Sequence, residues 1–132
     1  MYKNILLLLD CSPVDRVIVN HIKELAKYHK SRVHIFHVVH AHTLDQERAM
    51  TVEVKECFSE VLSVFEKEKI NVDYSIVEGE PAEEVLKKAT EPAWDLIALA
   101  THGHKTFGDF IYGSVSDVLK HKANKPLLLI HG

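Results

Sequence analysis

Strand and helix alternate from one end of this 132-residue chain to the other. The alternation predicts an α/β fold: a doubly wound five-stranded parallel sheet, order 3-2-1-4-5, with helices on both faces. Five short apolar runs recur along the chain, a segment of helical period separates each from the next, and no repeat, linker or low-complexity stretch interrupts them. Residues 1–132 therefore read as a single domain, long enough to bury a core.

The first run, "ILLLL" at 5–9, is continuous, as in a strand covered on both faces. Val14, Ile18, Ile22 and Leu25 follow as one helical stripe. The second run, "VHIFHVV" at 33–39, mixes in polar residues and reads as a strand nearer an edge. Met50, Val54, Cys57, Val61 and Phe65 form the stripe of a longer helix. The third run, "VDYSIV" at 72–77, is again mixed. Ala82, Val85, Leu86 and Ala89 form the next stripe, opened by Pro81 at a favourable first-turn position. "LIALA" at 96–100 and "PLLLI" at 126–130 are nearly continuous strands, with Val115, Val118 and Leu119 striping a helix between them. All four stripes read as core packing.

A formal net charge of −3 leaves no surplus of Lys and Arg to neutralise phosphates, which argues against nucleic acid as a partner. Cys11 and Cys57 lack a CxxC spacing, so neither a disulfide framework nor a zinc site is expected, and no metal site is assigned. That usage fits a reducing, cytoplasmic compartment. The run Ile5–Leu9 is too short for a signal sequence and ends at Asp10; no stretch approaches a membrane span.

In this strand order the ligand crevice opens beyond the carboxyl ends of strands 1 and 4, where the winding reverses. Those ends are Asp10 and the loop after Ala100. The loop, "ATHGHKTFGDFIYGS", holds three of the five glycines, Gly103, Gly108 and Gly113. Glycine lets a ligand approach the main chain with no Cβ in the way. Gly113-Ser114 is expected just before the last helix, where unpaired N–H groups and the dipole suit a phosphate. Ser114 as a simple helix cap is the plainer alternative.

Two phosphate-chemistry patterns are excluded. Gly103 to Gly108 has Walker A glycine spacing, but Asp109 stands where the lysine must be. A phosphoacceptor receiver needs an acidic cluster after strand 1 and a lysine after strand 5, whereas Asp10 has no acidic neighbour in sequence and Lys125 precedes the last strand.

Several motifs in order give the chain a specific resemblance to the universal stress protein family. They are "ILLLLDCS", "GEPAEEVLKKA", "DLIALATHG", Gly103 followed nine residues later by Gly113-Ser114, and "NKPLLLI". The family signature is G-x2-G-x9-G-[S/T]; its first glycine is Ala100 here. The resemblance implies an adenine nucleotide alpha hydrolase-like fold and bound ATP, or AMP or ADP, with or without Mg. It puts Asp10 and Val38 along the base and ribose, and Gly103, Gly113, Ser114, Val115 and Ser116 around the phosphates. Ala100 would be a mild obstruction of one methyl beside the nucleotide.

Ten histidines are many for this length. His40 and His42 could share a face of extended chain as a metal pair, but surface placement is the expectation. His102 and His104, within the loop, are either phosphate contacts or exposed loop residues. No residue set demands catalysis, because an ATPase needs a positioned water and a stabilised phosphoryl group. At most slow ATP hydrolysis is expected.

The expected function is a cytoplasmic stress-response protein that binds an adenine nucleotide as a regulatory ligand. The alternative is a nucleotide-free dimeric interaction module. An apolar edge strand favours a homodimer through the last strand, by Leu127, Leu128 and Ile130.

Overall fold

The computed structural model describes residues 1–101 and 107–131, and for residues 101 and 107–114 the backbone alone. The elements run β1 (Asn4–Leu8), α1 (Asp15–His29), β2 (Arg32–Val39), α2 (Leu44–Lys67), β3 (Asn71–Glu78), α3 (Pro81–Ala89), β4 (Leu96–Thr101), α4 (Phe107–Lys122) and β5 (Leu127–His131). The strands form one sheet in the order β3-β2-β1-β4-β5, with every pair parallel. This is the topology that the alternation of runs and stripes predicts, with strand limits within about a residue or two of those expected.

The central strand supplies both layers of the core. Ile5, Leu7 and Leu9 point to one face, where they pack with Ile18 and Ile22 of α1 and Val54, Phe58 and Phe65 of α2. Leu6 and Leu8 point to the other and meet Val85 and Ala89 of α3 and Val115 and Leu119 of α4. Each of these leucines and isoleucines is all but removed from water, a contribution of roughly 1.5–3 kcal/mol per side chain. A run without polar residues is thus the consequence of having helices on both sides. β2 lies one strand in from the edge and β3 forms it, which explains the polar residues in both.

The helix ends follow local chemistry. Thr43 caps α2 by accepting from the Gln46 N–H at 3.1 Å, and Gln46 returns an acceptor to the His42 N–H at 2.8 Å. Glu80 accepts from the Glu83 N–H at 2.8 Å beside Pro81 at the start of α3. Lys125 donates its ammonium to the Ala89 and Glu91 carbonyls at the far end of α3.

Three expectations need correction. α4 begins at Phe107, so Gly113 and Ser114 lie inside that helix instead of before it. Its intrahelical bonds there occupy N–H groups that a helix start would leave open. Cys11 and Cys57, 46 residues apart, are joined in a disulfide; spacing along the chain is blind to a meeting made by the fold. In α2 the most deeply buried side chains are Phe58 and Phe65, and Phe58 is absent from the stripe read from sequence, where Cys57 stood in its place.

Candidate functional site

The paired ends of β1 and β4, with Leu8 beside Leu99, bring Asp10 and Ala100 to the same rim of the sheet. Beyond Leu9, which is fully buried, the chain turns sharply. Asp10 Oδ1 accepts from the Ser12 N–H at 3.0 Å, and Cys11 takes a left-handed φ of 62°. A non-glycine residue in that region is uncommon and is held by its surroundings. Here the Cys11 N–H donates to Asp15 Oδ2 at 2.7 Å and its sulfur is bonded to Cys57 on α2. Asp10 therefore closes a turn, while Val14, at the N-cap of α1, supplies no side-chain cap.

The acidic neighbour that the sequence did not reveal is Asp15, in the first turn of α1 and only 6% exposed. Burial, then the charge and side-chain hydrogen bond of Asp10, push its carboxyl up to about 8, against the backbone N–H groups of Cys11 and Asp10. At neutral pH Asp15 holds a proton that an exposed carboxyl would have lost. A donor–acceptor pair of this kind could have been sought in the D-x4-D spacing. Its burial could not.

His37, on β2, donates Nδ1–H to the Leu9 carbonyl at 2.7 Å and meets the Phe58 ring edge-on at 6.4 Å between centroids. Burial holds its imidazole below the ordinary histidine range, and the Leu9 carbonyl and Asp10 charge oppose that shift. His40 donates Nδ1–H to the Gly79 carbonyl at 3.1 Å, and its ring lies 5.6 Å from that of His42. Among the described residues no carboxylate or thiol joins these two histidines in a ligand cluster.

Of the residues singled out from sequence, Val38 and Val115 are buried in the core layer under α3 and α4. Ser116, next to Val115 in α4, is also buried. Ala100 is 1% exposed and belongs to the opposite layer, with Ile18 and Leu96. Its methyl therefore occupies packed core. Gly113 and Ser114 are described as α4 backbone only, and His102, Gly103, His104 and Lys105 lie outside the described residues.

A cavity of about 370 Å³ opens beside the turn, between α1 and α2, bordered by Cys11, Asp15, Arg16, Asn20, Cys57 and Glu60. The two sulfurs and an Asp15 carboxyl oxygen lie within 4.8 Å of one another. With the sulfurs joined, the group offers no thiolate to a metal.

A parallel sheet wound both ways from β1, with a structured turn at the reversal, defines an α/β protein of the class that binds ligands at strand carboxyl ends. Within that class the chain belongs to the universal stress protein family, whose model matches residues 1–131. It is 24% identical to the universal stress protein MJ0577 of Methanocaldococcus jannaschii, over 98% of this chain and 95% of that protein. The solved structure of MJ0577 aligns with a TM-score of 0.82 at 26% identity, covering 100% of this chain and 97% of that one. A universal stress protein from Archaeoglobus fulgidus, solved in complex with dAMP, aligns with a TM-score of 0.74 at 23% identity, covering 98% of each chain. Another family member, solved in complex with cAMP, gives a TM-score of 0.76 at 16% identity, over 98% of this chain and 97% of that one.

Proposed function

We propose that this protein binds an adenine nucleotide, ATP or its mono- or diphosphate, at the rim formed by the ends of β1 and β4, as a regulatory ligand in a cytoplasmic stress response. The observation that carries this reading is the winding reversal itself. It sets Asp10 on the rim from which the chain leaves β4 toward Gly103 and Gly113-Ser114. Asp10 would lie along the base and ribose, and the segment that runs from Gly103 into α4 would take the phosphates. Family members of the same fold held dAMP and cAMP, which supports the adenine class without choosing among phosphate lengths. No helix among the described residues is long and apolar enough to cross a membrane.

Mass spectrometry of gently purified protein should find a co-purifying adenine nucleotide, and Gly113→Val should abolish ATP binding in calorimetry while circular dichroism stays parental. Equal ATP affinity in variant and parent would defeat the reading.

A second reading, homodimerisation through β5, is favoured by its edge position and by Leu129, 37% exposed. Lys125 is turned inward onto the carbonyls of α3, so the start of β5 loses the charge that would discourage pairing. Leu127, Leu128 and Ile130 are each partly buried and would complete the contact.

A further inference from the structure

We propose that Cys11 and Cys57 form a redox-active disulfide, opened and closed by thiol–disulfide exchange with a dithiol, and that Asp15 is the proton donor and acceptor for the departing sulfur. The proposal is independent of nucleotide binding. It stands on three features of the fold. The bond joins the turn after β1 to the middle of α2, two elements that sequence separation gives no reason to link. Both half-buried cysteines border the open cavity between α1 and α2, which admits a thiol to the sulfurs. The Asp15 carboxyl lies within 4.8 Å of both sulfurs and is itself screened from water.

The exchange balances without further reagents. An incoming thiolate attacks one sulfur, the S–S bond breaks, and the other sulfur leaves as a thiolate that takes the proton of Asp15. The second thiol of the reductant then attacks the mixed disulfide and releases the remaining cysteine, which ends as a thiol. Asp15 recovers a proton from water, which had taken that of the first reductant thiol, so the protein gains two electrons and two protons and the dithiol becomes a disulfide. Re-oxidation by a peroxide removes the same two electrons and two protons, giving two waters from hydrogen peroxide or one alcohol and one water from an alkyl hydroperoxide.

Asp10 from the turn acts directly on Asp15, Arg16 on α1 and Glu60 on α2 border the same cavity, and His37 on β2 lies within reach of the charge of Asp10. Asp10 dominates among them, through both its charge and its hydrogen bond. With the carboxyl raised to about 8, Asp15 holds a proton to give at neutral pH. Opening the bond frees the strained turn at Cys11 from α2.

The test uses the whole folded protein, oxidised with hydrogen peroxide and then reduced with dithiothreitol under native conditions. Aliquots are alkylated and weighed by mass spectrometry. The expected course is no alkylation before reductant and two alkylated cysteines after it, without denaturant. Asp15→Asn should slow native reduction at neutral pH by at least about tenfold, below the usual contribution of a positioned proton donor. Normalised to reductant thiolate, the parental rate should fall as pH passes about 8, and the variant should lack that fall. Free, alkylatable cysteines after peroxide would overturn the bond. A disulfide reducible only in urea would overturn its exchange role and leave a structural staple. A folded Asp15→Asn protein with parental rate and pH profile would overturn the assignment of Asp15.

Discussion

Replacing Asp15 by asparagine should stabilise this protein at alkaline pH while changing it little in acid. The structure sets both sign and size. Asparagine keeps the shape of the protonated acid, with an oxygen for the Cys11 N–H and an N–H for Asp10. Below the ordinary carboxyl value of 3.8, native and unfolded parent both hold the proton, and stability is insensitive to it. Between 3.8 and about 8 the native state holds one proton more than the unfolded state, so parental stability falls as pH rises. Above that window both states are ionised and the loss is complete. From about pH 5 to the upper limit the loss is ~4 kcal/mol, at about 1.4 kcal/mol per pH unit. That is a large share of the roughly 5–15 kcal/mol that holds a domain folded. Urea unfolding of oxidised parent and variant at about pH 5 and pH 9 isolates the Asp10–Asp15 pair, because the other titrations occur in both proteins. The variant-minus-parent difference should grow by on the order of 4 kcal/mol across that span. A difference that stays within about 1 kcal/mol, or shrinks, would refute a protonated Asp15 in the native state.

Two further outcomes are expected. Ala100→Gly should cost about 1–2 kcal/mol, from the buried methyl and the added backbone freedom, and leave ATP affinity in calorimetry unchanged. Weaker binding with an intact fold would return Ala100 to the ligand surface. Leu129→Lys should convert a homodimer to monomer in sedimentation equilibrium with stability within about 0.5 kcal/mol of the parent, since the side chain is exposed. A parent that sediments as a monomer at micromolar concentration would defeat pairing through β5.

The sheet was legible because burial on two faces writes itself locally. A strand such as Ile5–Leu9 must be apolar at every position, and a helix such as Asp15–His29 must be apolar on one side only. Short connections and right-handed crossovers then leave few ways to order five such strands, and β3-β2-β1-β4-β5 is among them. The rim holding Asp10 and Ala100 follows from that order alone. The charge state at the rim does not. Asp15 became a buried acid because α1 presses it against Asp10, and its proton affinity depends on lost water and on a neighbour's charge, neither of which a residue name records. Cys11 and Cys57 are likewise unremarkable 46 positions apart, and only the packing of α2 over the turn after β1 brings their sulfurs together. Ala100 shows the same limit. Its place in a glycine signature is a fact of sequence, but the side of the sheet its methyl occupies is set by the register of β4 against β1, which turns alternate residues to opposite faces. Periodicity determined which residues are buried; tertiary contact decided which of them share a proton, a bond or a layer.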